Sequence, residues 1–111
     1  MKPKFLPLAT LAAIALTAAL PAQALDAEAA QALAKKSNCM KCHSVTAKKD
    51  GPSFKETAAR LKGKPGAEQE LYKHLTTNPK VKVDGQEEEH PNLKTKDEAE
   101  IRNVVQWILA Q

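Results

Sequence analysis

Two cysteines three positions apart, followed at once by a histidine, constrain this chain more than any other feature: Cys39-Met40-Lys41-Cys42-His43. The pattern is that of covalent c-type haem attachment. Each residue type has a chemical task in it. The Cys39 and Cys42 thiols become thioethers to the haem vinyl groups, and His43 is placed to reach the iron as the proximal ligand. A C-x-x-C pair alone would also suit a redox disulfide or half of a zinc site. The adjoining His43, in a chain that reads as exported, favours haem, and one covalent haem c is expected. A zinc or disulfide module of Cys39, Cys42, His43 and His90 is the lesser alternative.

The export reading rests on residues 1–24. Lys2 and Lys4 make a positive start, Leu6 to Leu20 an apolar run, and Ala22-Gln23-Ala24 a small-x-small cleavage site. The apolar run is shorter than the roughly 20 residues of a membrane-spanning helix, so cleavage is preferred to anchoring. The expected mature protein is a single domain, residues 25–111, in the periplasm and without a stable membrane anchor. Leu25 rather than a cysteine would be its first residue, which gives no sign of lipidation.

Cleavage changes the charge argument. The full chain has 17 Lys+Arg against 13 Asp+Glu, a formal net charge of +4. Without Lys2 and Lys4 the counts are 15 and 13, a net of +2. Two ionised haem propionates would bring that near zero, so a nucleic-acid partner is not expected. A domain this small usually needs a staple. With only Phe54, Tyr72 and Trp107 as aromatics in the mature chain, a large flat apolar ligand would supply much of the core.

Hydrophobic periodicity and capping chemistry predict an all-α fold of about four helices. Asp26 caps a first helix to Lys36, and Ser44 to Pro52 is a loop. Ser53-Phe54-Lys55-Glu56 is a capping box that opens a short helix to about Lys62. Gly63-Lys64-Pro65-Gly66 stops it, and a third helix follows from Ala67 to Thr77, with Ala67, Leu71 and Leu75 on one face. Lys80 to Lys94 has no helical period and is expected as a long functional loop without strands. Thr95-Lys96-Asp97-Glu98 is expected to cap the final helix. There Ile101, Val104, Val105, Ile108 and Leu109 make one apolar stripe, destined for the first helix and the haem edge.

With those residues assembled, the chain resembles a class I c-type cytochrome of the small bacterial periplasmic kind, over nearly all of residues 25–111. The attachment motif carries the resemblance. Gly51-Pro52 follows at the family's spacing, which implies that the Pro52 carbonyl accepts the ring N–H of His43 and fixes its tautomer. Gly66 to Leu71, Asp97-Glu98-Ala99 and Trp107-Ile108-Leu109 also resemble the family's third and last helices. The resemblance implies four helices around one covalent haem, an electron carrier rather than an enzyme, and redox partners met by transient docking, with the carrier itself a monomer.

The departure from the family lies on the far side of the iron, where a methionine on the loop before the last helix is the usual sixth ligand. This chain has two methionines, Met1 in the export signal and Met40 inside the attachment motif. Neither can serve. His90, followed by Pro91-Asn92 much as the family's methionine is, becomes the expected distal ligand, and Glu87, Glu88 or Glu89 is a candidate acceptor for its second ring N–H. His74, in a neighbourhood where the family carries a basic residue, is expected to contact a haem propionate or the surface, and is the other candidate ligand. Two imidazoles without thioether would lower the reduction potential relative to a His/Met site. Lys35, Lys36, Lys41, Lys48 and Lys49 surround the motif and would steer an acidic redox partner. A gas-binding or sensing protein, with the distal ligand displaceable or absent, is the alternative function.

Overall fold

The computed structural model describes residues 1–4 and 24–111, and the expected export signal falls on residues that lie mostly outside these. Among the described residues four helices carry the fold: α1 (Ala27–Lys36), α2 (Phe54–Leu61), α3 (Ala67–Thr76) and α4 (Glu98–Leu109), with one 3-10 turn at Cys39–Lys41. Their starts follow from side-chain capping. Asp26 accepts from the Ala29 N–H, and Ser53 and Glu56 complete the expected capping box on α2. The last helix starts two residues later than expected. Asp97 is its N-cap, accepting from the Glu100 N–H, while the Thr95 hydroxyl accepts from the Asp97 N–H, two residues too early to cap the helix. An aspartate one position from the helix outcompetes a threonine because its ionised carboxylate also meets the positive end of the helix.

Helix α4 is the spine. Its Ile101, Val104, Val105, Trp107 and Ile108 are buried, and it packs on α1, α2 and α3 in turn. Alanines at Ala30 and Ala34 let α1 come close. The crossing is pinned by Asn103, which donates to the Asp26 carbonyl and accepts from its N–H. Leu71 and Leu75 face the core from α3 as expected, with Ala67 only partly covered.

The expectation of a structureless Lys80–Lys94 segment is corrected. Lys80–Val83 and Gln86–Glu89 form an antiparallel hairpin, β1 and β2, with Lys80 opposite Glu89 and Lys82 opposite Glu87. The signal was present: Lys-Val-Lys-Val alternates at the strand period, and Asp84-Gly85 supplies a two-residue turn with φ of 49° and 78°. Two short strands of charged residues read as loop when only helical periodicity is sought. The register puts Val81 and Val83 on one face, both half-buried, and the Lys–Glu pairs on the other.

At its base the hairpin is fastened to the end of α3. Asn78 takes the left-handed conformation that ends the helix, φ 46°. It exchanges hydrogen bonds with Asn92: the Asn78 N–H donates to Asn92 Oδ1 at 2.9 Å, and Asn92 Nδ2 donates to Asn78 Oδ1 at 3.1 Å. Pro79 and His90 close the base through the His90 N–H at 2.8 Å.

Candidate haem site

The attachment motif is wound by local backbone bonds. Asn38, in the left-handed region at φ 62°, turns the chain out of α1. The Cys42 and His43 N–H groups then donate to the Cys39 carbonyl at 3.3 and 3.0 Å. The winding puts Cys39, Cys42 and His43 on the wall of one cavity of about 460 Å³, within the usual range for a cofactor site. The two thiols form no disulfide, and burial pushes the Cys39 thiol pKa up. Met40, in the middle of the turn, packs against the core.

His43 is held from three sides. Its Nδ1 lies 2.7 Å from the Pro52 carbonyl oxygen. A carbonyl only accepts, so Nδ1 carries the proton and Nε2 presents its lone pair elsewhere. Phe54 stacks on the imidazole at 5.3 Å with the planes 22° apart, and Trp107 meets Phe54 edge-on. Gly51 passes so close that a Cβ there would stand 2.5 Å from His43 Cε1. Glycine is required by this approach.

Opposite His43 stands His90. The two ring centres are 6.1 Å apart, with planes inclined at 54°. Two metal–nitrogen bonds of about 2 Å each, plus roughly 1 Å from each nitrogen to its ring centre, also make about 6 Å. Among the described residues, His90 Nδ1 is the one buried side-chain nitrogen or oxygen with no hydrogen-bond partner. Burial first, then the neighbouring His74 and His43, lower the His90 pKa from the ordinary 6.5 to about 4. The ring is therefore neutral at physiological pH, the form in which imidazole binds metals.

His74 shares the cavity. It is half-buried, and its ring centre lies 4.1 Å from that of His90. Burial, His43 and Arg60 lower its pKa, with Glu70 opposing them. The candidate acceptors Glu87, Glu88 and Glu89 are exposed, Glu88 and Glu89 at the cavity's edge, and none bonds the His90 Nδ1. Of the motif's lysines, Lys35, Lys36, Lys41 and Lys48 are exposed, and Lys49 reaches back to donate to the Met40 carbonyl at 2.7 Å.

Several contributors escaped the sequence reading. Arg60, paired with Glu70 at 2.9 Å, lines the cavity, as do the hairpin valines. The Asn78–Asn92 pair sits just behind His90, whose carbonyl accepts from Asn78 Nδ2 at 3.0 Å. Only the hairpin left a pattern to read, since the others depend on long-range packing.

Two thiols and a tautomer-fixed imidazole on one wall, with a neutral, polar-unpartnered imidazole opposite, fit a covalently attached haem. This defines the molecule as a small helical c-type haem protein. The chain belongs to the cytochrome c family, whose profile matches residues 27–111. It is 36% identical over 95 residues to cytochrome c-551 of Pseudomonas aeruginosa, covering 86% of this chain and 88% of that protein. It is 39% identical over 102 residues to cytochrome c-552 of Nitrosomonas europaea, covering 92% of each. The fold is similar to the crystal structure of the class 1 cytochrome MtoD from Sideroxydans lithotrophicus ES-1. That match has a TM-score of 0.75 and 47% identity, and covers 78% of this chain and 97% of that one. The chain is thus a monohaem class I cytochrome c with the electron-transfer function of that family, and its cofactor is covalent haem c.

Proposed function

We propose that this cytochrome is an exported, non-enzymatic electron carrier whose iron lies between His43 and His90, with a potential below that of a His/Met site. The observation that carries the reading is the 6.1 Å placement of the two imidazoles across the cavity, in a chain whose methionines cannot serve. Haem c, when bound, supplies a one-electron ferric/ferrous couple. The residues of the chain hold it and bias it. Cys39 and Cys42 attach it, and the Pro52 carbonyl increases the basicity of His43 by accepting its N–H. His90 in place of a thioether favours ferric iron. No carboxylate accepts a proton from His90, so its imidazole gains no further donor strength from such a bond.

Cleavage after about Ala24 would release residues 25–111 into the periplasm, and no helix among the described residues is long and apolar enough to cross a membrane. Exposed Lys35, Lys36, Lys41 and Lys48 offer a positive surface beside the attachment motif for brief docking with acidic redox partners.

Absorption and EPR spectroscopy of the purified haem protein test the ligand set. The expected result is low-spin ferric iron with two imidazoles in the wild type and its loss in His90→Ala. A His90→Ala spectrum identical to wild type would overturn the assignment.

A further inference from the structure

Among the described residues no side chain hydrogen-bonds the His90 ring, whose polar neighbours are the backbone groups of Pro91 and His74. The His90 backbone is held firmly, by Pro79 at the N–H and Asn78 at the carbonyl. The ring's Nδ1 has no partner, and Glu88 and Glu89, which line the same cavity, do not bond it. Against it lies the ring of His74, 4.1 Å away with the planes inclined at 46°. The two differ in their supports. His74 stands on α3, three residues from buried Leu71 and beside buried Leu75, whereas His90 hangs at the foot of a two-stranded hairpin.

We propose that His74 is a positioning residue, whose imidazole packs on His90 and sets the plane of that ring relative to His43. This rests on the bis-imidazole reading above. The contact is one of flat rings: offset and tilted aromatic pairs at this separation are favourable without a hydrogen bond. The groups facing it are His43 across the cavity, Arg60 on α2 and Glu70 on its own helix.

The plane angle is readable directly. In low-spin ferric haem the anisotropy of the EPR signal depends on the angle between the two axial imidazole planes, here 54° between His43 and His90. The experiment compares wild type, His74→Ala, His74→Phe and His90→Ala as haem proteins. His74→Ala is expected to remain low-spin with shifted, broadened g values, and His74→Phe to restore the wild-type signal, because only a flat ring is needed. Carbon monoxide should bind ferrous His74→Ala roughly three- to tenfold faster, the change that corresponds to losing one aromatic pair. If His74→Ala does not retain haem, His74→Leu supplies the same comparison at similar volume without a ring. Wild-type g values in the ringless variant would overturn the proposal while leaving the ligand assignment intact. So would a His74→Phe signal matching the ringless one. A low-spin spectrum lost in His74→Ala but unchanged in His90→Ala would overturn both.

Discussion

The two sides of the haem cavity are built in opposite ways. On the His43 side every tie is short in sequence. Gly51 N–H donates to Cys42, His43 to Pro52, Phe54 N–H to Ser44 and Lys49 to Met40, all between Cys39 and Phe54. Side chain and backbone are both fixed. On the His90 side the parts come from α3, the hairpin and the segment after it, and the polar ties stop at the backbone. One side is a folded loop that fixes the ring of its histidine. The other is a junction that fixes only the backbone of its histidine. Such an arrangement lets the attachment chemistry stay constant while the far side changes what the iron can do.

Acid should separate the two sides most sharply. Because His90 is held at about pKa 4 against an ordinary 6.5, the unfolded chain takes up a proton in that interval that the folded chain refuses. Stability therefore falls as pH drops from 6.5 towards 4 and gains nothing from this group above 6.5. The low-spin spectrum should give way to high-spin below that range, because iron competes with the proton for the ring, reversibly and while mass spectrometry still finds the haem covalently attached. The same acid transition in His90→Ala would mean that His90 is not the group released.

Gly51→Ala attacks the stiff side. Its Cβ would overlap His43, and overpacking of this kind costs about 1–3 kcal/mol. Denaturant unfolding of the haem protein should show that loss, with a perturbed His43–iron vibration in resonance Raman spectra. Smaller still is Asn78→Ala on the compliant side. It removes two side-chain hydrogen bonds and strains a left-handed residue, for about 1–2 kcal/mol. Its signature should be faster carbon monoxide binding with the His43–iron vibration unmoved. Asn78→Gly, which accepts the backbone angle, should recover part of the stability but not the binding rate.

The same contrast explains what could be read from the sequence. Capping residues such as Asp26, Ser53 and Glu56 act on their own helices, and the apolar stripe of α4 repeats at the helical period, so both were legible. Cys39, Cys42 and His43 are legible as one contiguous motif, whereas Pro52 is legible only through the family resemblance. The hairpin was misread as loop although Asp84-Gly85 follows an alternating strand, since its outer face carries only charge. Thr95-Lys96-Asp97-Glu98 reads as a capping box, and that pattern hides Asp97, the cap the helix uses. The packing of His74 on His90 and the Asn78–Asn92 pair had no local signature. They join α3 to a segment beyond the hairpin, and only the folded chain makes them neighbours.

The hydrogen bond from His90 to the Pro79 carbonyl has a consequence for how such proteins diversify. It makes the hairpin leave and rejoin the body at one point, so β1 and β2 can lengthen, shorten or vanish without displacing α3 or α4. Loop-closure entropy grows slowly, by about 0.6 kcal/mol for each doubling of length. The segment beside His90 is thus an exchangeable cartridge: insertions there can reshape the cover over one haem face at little thermodynamic cost, while the attachment turn opposite keeps its own local bonds.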